Sequence, residues 1–207
     1  MTSRKFVIGL FVGGKGSRLG GVKKGLLPSP EGDEAIAARS VRICRDALPG
    51  AEVTLIGDAS GYESLALDAL EDAPAGVGPL GGLRALLLAA RSRGPNTLAL
   101  ALACDLPSYS FSLLDRLAYF GDRRFTVAPR IGELYQPLFA RYEPESALAA
   151  VDSALAERGY SLLGVFDRLG SSVIELPLLE GDAELLLDWD TPGDVRRSRP
   201  HTPDRGL

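Results

Sequence analysis

The chain has 207 residues, 45% of them hydrophobic, enough to bury one sizeable core and short enough to read as one folded unit. Its formal net charge of −4, with acids and bases mixed along the chain, argues against nucleic acid as a partner, since no basic face is present to neutralise a phosphate backbone. The longest apolar runs, Thr97 to Ala103 and Leu83 to Ala90, fall far short of a bilayer span, and Phe6 to Val12 runs into glycines and charges instead of a cleavage site. No membrane partner is expected, and the protein is expected to stay in the cytoplasm.

In chain order, Phe6 to Val12 reads as a first strand, followed by a glycine-rich loop and a helix from about Glu34 to Leu48. Glu52 to Gly57 reads as a second strand. A helix beginning near Leu80 carries Leu83, Leu86, Leu87 and Ala90 on one face and leads through Gly94-Pro95 into TLALALA, Thr97 to Ala103. That strand is apolar on both faces, as in the middle of a sheet covered by helices on either side. Phe125 to Pro129 and Leu134 to Ala140 read as two shorter strands separated by a turn at Arg130 to Glu133, and Glu145 to Arg158 has helical periodicity. The alternation predicts an α/β domain with a mostly parallel sheet. No repeat or linker marks a second domain, so one domain is expected over residues 1–195, with a flexible tail at 196–207 rich in Arg and Pro.

Two residue counts narrow the chemistry. Cys44 and Cys104 lie about 60 residues apart with no CxxC pair, which fits free thiols rather than a disulfide framework or a zinc site. The only histidine, His201, falls in the tail, so a mechanism built on a histidine base or ligand is disfavoured. Carboxylates, cations, backbone amides and a metal remain.

The segment Leu10 to Gly25, LFVGGKGSRLGGVKKG, holds five glycines between Gly13 and Lys24, among them Gly14, with Arg18 and Lys24 interleaved. Glycines let backbone amides approach anionic oxygens, and the two cations can reach the same phosphates. The spacing matches neither GxxxxGK[ST] nor GxGxxG, where Leu19 stands at the last glycine. A bare strand-to-helix turn would also use glycines, but not the interleaved cations. Asp105 follows TLALALA-Cys104 directly, at the carboxyl end of a central strand, where ligands of open α/β sheets collect. A carboxylate there can bind Mg²⁺ together with substrate phosphates, or can cap the turn before Pro107. In LDWDTPGD, Asp188 and Asp190 face the same way if the segment is extended, while Thr191, Pro192 and Asp194 suit a helix start. That leaves Asp190 as a second candidate metal ligand. Asp72 and the run Gly76 to Gly82 form a glycine-rich helix entry that can touch a ribose or base, or simply cap the helix.

GGKGSRLGGVKKG resembles the signature loop, commonly LAGGxSxRMGxxK, of the nucleotidyltransferases related to the molybdenum cofactor guanylyltransferase. The departures are Phe11-Val12 for Leu-Ala and Leu19 for Met. The resemblance implies a three-layer α/β/α Rossmann-like fold and a magnesium-dependent transfer of GMP from GTP to molybdopterin, with release of pyrophosphate. It implies that Phe11, Val12, Gly13 and Gly14 line the nucleotide, that Arg18 and Lys24 hold its phosphates, and that Asp105 and Asp190 hold Mg²⁺. The family's Asn-x-Asn-Thr-Pro is Asp-x-Asp-Thr-Pro here. Asp72, upstream of Gly-Pro-Leu-Gly-Gly, is implied to accept from the guanine edge, and Gly57-Asp58 stands where relatives place a base-contacting asparagine. For the acceptor, Arg130, Arg141, Arg158 and Arg168 are candidates to meet a pterin phosphate, and Gln136-Pro137-Leu138 lies where relatives carry His-Pro-like residues. Transient contact with other molybdenum cofactor proteins is a further implication. The competing readings are a related enzyme using CTP or another nucleoside triphosphate with molybdopterin or a sugar phosphate, and a non-catalytic nucleotide-binding accessory protein.

Overall fold

The computed structural model describes residues 4–13, 22–189 and 193. β1 (Lys5–Phe11) leads through the glycine segment to α1 (Ile36–Ala47); β2 (Glu52–Ile56) and the short β3 (Ala69–Leu70) precede α2 (Pro79–Ser92). β4 (Thr97–Ala103) is followed by α3 (Phe111–Tyr119), β5 (Thr126–Ala128), β6 (Arg130–Ile131), β7 (Leu134–Tyr135) and β8 (Phe139–Tyr142). The remainder is α4 (Pro144–Ala156), α5 (Leu162–Leu169), β9 (Val173–Glu175) and α6 (Asp182–Leu185). Seven strands form one sheet in the order β3-β2-β1-β4-β8-β5-β9, and every neighbouring pair is parallel except the two made by β8.

Parallel pairing requires crossovers, and the crossover helices cover both faces. On one face Phe6, Ile8, Leu10, Leu98, Leu100 and Leu102 pack with α1 and α3; on the other Val7, Phe11, Ala99 and Ala101 pack with α2, α4 and α5. The alternation in TLALALA thus has a use: its leucines fill one layer, while its small alanines let α2 and α4 meet over the strand. Gly9 on the same face serves that close approach, because a Cβ there would stand 2.8 Å from Leu86 Cδ2 and 2.9 Å from Ile56 Cγ1. The result is the expected α/β/α sandwich.

The expected strand Leu134 to Ala140 is two strands. Pro137 has no N–H to donate to a ladder, and the Gln136 amide turns instead to the Pro129 carbonyl at 3.0 Å, so β7 pairs with β6 in a separate hairpin and β8 starts afresh at Phe139. Arg130-Ile131, expected in the turn, is itself a strand; the turn proper contains Gly132, with φ of +59°. The expected helix start at Thr191 to Asp194, apart from Gly193, and the tail with His201 lie outside the described residues. Among the described residues no helix is long and apolar enough to cross a membrane.

Both cysteines are free and buried, and burial pushes each thiol up to about 12. A thiol reagent at pH 8 is therefore expected to leave the folded protein unlabelled and to titrate both thiols after denaturation. Labelling of either cysteine in the native protein would contradict this burial.

Candidate active site

β1 and β4 end side by side, Phe11 opposite Ala103, and the segments leaving them are tied together: the Cys104 amide donates to the Phe11 carbonyl at 3.1 Å. Between Phe11, Gly13, Lys24, Pro79, Asp105 and Leu138 lies a cleft of about 110 Å³. A larger hollow of about 410 Å³ sits at the amino end of β4, by Arg91, Thr97 and Arg123. Ligands of open α/β sheets collect at the carboxyl edge, so the smaller cleft is the candidate site.

Two predicted residues from distant parts of the chain meet at its mouth. Lys24 opens a single 3₁₀ turn, Lys24–Leu26, and its Nζ lies 2.9 Å from Asp105 Oδ2, with the side chains 19% and 28% exposed. Gly25 permits that approach, since a Cβ there would be 2.8 Å from Tyr62 Oη and 3.2 Å from Cys104 Cβ. The preceding Lys23 points away and bonds the loop after β2, at Asp58 and Ser60. Gly57 in that loop has φ of +99°, and a Cβ on it would stand 3.0 Å from both Cα and N of Gly13, so the exits of β1 and β2 touch backbone to backbone.

Asp72 sits against the start of α2. A Cβ on Gly82 would be 3.1 Å from Phe11 Cε1 and 3.2 Å from Asp72 Oδ1, which places the Phe11 ring and this carboxylate at one spot. Burial holds the Asp72 carboxyl above its ordinary range, and among the described residues no cation or N–H offsets that burial. Toward the end of the described chain, the buried Trp189 donates its amide to the Asp105 carbonyl at 3.0 Å, anchoring Leu187 to Trp189 beside the cleft. Gly14, Arg18 and Asp190 lie outside the described residues. Leu138, whose carbonyl accepts from the Ala103 amide at 2.7 Å, closes the cleft wall; of the Gln136-Pro137-Leu138 segment singled out by resemblance it is the residue that lines the cleft.

The four arginines named for the acceptor fall in different places. Arg141 is fully buried and donates to the carbonyls of Ala118, Phe120, Asp122 and Phe125, so it holds the end of α3 to the sheet and faces no cleft. Arg168 bonds Glu157 and the Gly164 carbonyl, and Arg158 takes a left-handed turn after α4 with φ of +56°. Arg130 bonds Glu133 and lies 5.2 Å over the Tyr135 ring, which stacks on Phe166.

Comparison with known proteins fits this geometry. The molybdenum cofactor guanylyltransferase of Pseudomonas fluorescens (strain SBW25) is 31% identical over 186 residues, covering 88% of this chain and 88% of that protein. Molybdopterin-guanine dinucleotide biosynthesis protein A from Archaeoglobus fulgidus has the same fold, with a TM-score of 0.69 at 23% identity over 94% of this chain and 96% of that one. The fold also extends to 2-C-methyl-D-erythritol 4-phosphate cytidylyltransferase from Thermus thermophilus, with a TM-score of 0.61 at 16% identity over 92% and 95% of the two chains. The description that matches residues 9–170 is the MobA-like NTP transferase domain, and this chain belongs to that family.

Proposed function

We propose that the protein transfers GMP from GTP to molybdopterin and releases pyrophosphate. The observation that carries this reading is the pairing of Lys24 with Asp105 at the mouth of the carboxyl-edge cleft, in a chain 31% identical to a guanylyltransferase over most of its length. Asp105 suits Mg²⁺: it is a hard oxygen donor, partly exposed, and among the described residues no cluster of three metal-ligating side chains converges. Magnesium commonly takes one or two carboxylates and completes its shell with phosphates and water, so Asp105, with Asp190 as a second ligand, is a fitting set. When bound, the ion supplies charge neutralisation on the phosphoryl oxygens.

The chain's own groups do the rest. The Val12 amide is bonded to the Ile56 carbonyl at 3.0 Å, so the grip on the phosphates falls to Gly13 and the glycines after it, with Arg18 and Lys24 neutralising charge gathering on the departing pyrophosphate. Phe11 and Asp72 form the base side. Guanine offers two N–H donors on its pairing edge, which a carboxylate can accept, whereas cytosine sets two acceptors beside its one amino group. The attacking terminal phosphate of molybdopterin is already largely dianionic near neutral pH, its second ionisation lying at about 6, so no base is required. Positioning and charge neutralisation suffice without histidine.

A thermal-shift series with the four nucleoside triphosphates and Mg²⁺ tests the base. At a hundredfold excess over Kd a ligand adds about 2.7 kcal/mol, or roughly 5–10 °C in a domain of this size. GTP is expected to give that shift and CTP, UTP and ATP much less. An equal or larger shift with CTP would move the reading to cytidylyl transfer. GTP binding with no pyrophosphate release in the presence of molybdopterin would leave a nucleotide-binding accessory protein.

A further inference from the structure

We propose that Lys23 and Asp58 form a latch that, with the contact of Gly57 on Gly13, holds the two ends of the glycine segment at the nucleotide cleft, which makes Lys23 a positioning residue and not a phosphate ligand. The inference rests on the nucleotide-binding reading above and adds to it an assignment for the first of the two adjacent lysines.

The Lys23 ammonium is fully committed. It lies 2.7 Å from Asp58 Oδ2, 2.6 Å from Ser60 Oγ, 2.6 Å from the Ser60 carbonyl and 3.3 Å from the Asp58 carbonyl. An ammonium has three protons to give, and here four acceptors share them. It also sits 5.7 Å from the centre of the Tyr62 ring. The carboxylate is equally engaged: Asp58 Oδ1 accepts from the Ser60 amide at 3.0 Å and the Ser60 hydroxyl at 2.7 Å, leaving Oδ2 to Lys23. These bonds from Lys23 and Ser60 hold the Asp58 carboxyl far below the ordinary carboxylate range, so the pair stays charged at neutral pH.

Position gives the pair its purpose. The glycine segment leaves β1 at Gly13 and rejoins the described fold at Val22 to Lys24. The loop after β2 holds both points, with Gly57 packed on Gly13 at one and Asp58 and Ser60 bonded to Lys23 at the other. Lys23 is extended, with φ of −69° and ψ of 112°, so successive side chains diverge: with Lys23 tied to the β2 loop, Lys24 is directed to Asp105. A further consequence concerns the base. Asp58 stands where relatives place a base-contacting asparagine, but its carboxylate is taken up by the latch, which leaves Asp72 to read the base.

Direct titration with the best-bound triphosphate of the four, plus Mg²⁺, tests the latch in wild type, Lys23→Ala, Asp58→Ala, the double variant and Lys23→Arg. Each alanine variant is expected to weaken binding about fivefold, the double variant no more than either single, and Lys23→Arg by less than about twofold. The kcat at saturating nucleotide is expected to fall by a similar factor, because the latch also directs Lys24, whose charge counts most as pyrophosphate departs. Asp58 is largely exposed and Lys23 partly exposed, so melting temperatures should move little. Unchanged affinity in both single variants, additive losses, or tighter binding in Asp58→Ala overturns the latch, the last by showing that Asp58 withholds Lys23 from the phosphates. A wild-type protein that binds none of the four triphosphates overturns the nucleotide reading itself, and the latch's purpose with it.

Discussion

Asp105→Asn is expected to lower kcat for Mg²⁺-dependent pyrophosphate release from GTP and molybdopterin by about 10²–10³-fold, with little change in melting temperature. The magnitude is that of removing one preorganised charge-stabilising group from a site where charge develops on phosphoryl oxygens. The separation from stability follows from the structure. The contact that organises the fold at this position is made by the Asp105 backbone carbonyl, which accepts from Trp189, and asparagine keeps that carbonyl. The side chain's own partner, Lys24, is partly solvent-facing, so the lost ion pair weighs little in folding. Lys24→Ala is expected to cost a similar factor, and the double variant hardly more than either single, because groups serving one charge act as a unit. Steady-state rates paired with thermal melts check both halves. Full activity in either single variant would sink the assignment; a large fall in melting temperature would show that the pair serves the fold instead.

Much of this site was legible in the sequence because its constraints are local. A glycine segment after a strand and an aspartate directly after a fully apolar strand are signals carried by adjacent residues, and the sheet then sets β1 beside β4 and brings Lys24 and Asp105 together. Gly81 and Gly82 read in the sequence only as part of a glycine-rich helix entry; the steric reason appears in the fold, where a Cβ at either would strike its neighbours, Asp72 among them. What could not be read depends on long-range geometry. α3 and α5 each begin at a serine whose hydroxyl accepts from an amide three residues on, but their apolar stretches of nine and eight residues are too brief for periodicity to separate helix from strand. The break at Pro137 was visible as a residue, yet what replaces the lost strand is decided by the Pro129 carbonyl receiving the Gln136 amide. Of the adjacent lysines, nothing local says which one faces the cleft. The partners that decide it, Asp58 and Asp105, lie 35 and 81 residues away.

Arg141 illustrates the same limit and carries the second large expectation. From the sequence it was one of four arginines available to an acceptor phosphate, whereas in the fold it is sealed under α3, with burial lowering its pKa to about 10, still far above neutral. It therefore remains a cation, and its four donated bonds offset the cost of keeping it there. Arg141→Met replaces the stem with one of similar bulk but takes the donor from the Phe120 and Phe125 carbonyls, while that of Ala118 keeps Arg4 and that of Asp122 keeps the Phe125 amide. Each such loss costs on the order of 1–3 kcal/mol, partly returned by no longer burying a charge, for a net cost of about 2–4 kcal/mol. In a domain of this size that is a fall of roughly 10 °C in melting temperature. Arg141→Lys keeps the charge but presents a point donor in place of a fork, and should recover only part of the loss. At a temperature where Arg141→Met is still folded, its KM for molybdopterin should match that of the wild type. A raised KM with an unchanged melting temperature would return Arg141 to the acceptor site, since a residue that serves only to hold α3 can produce the opposite pair of results alone.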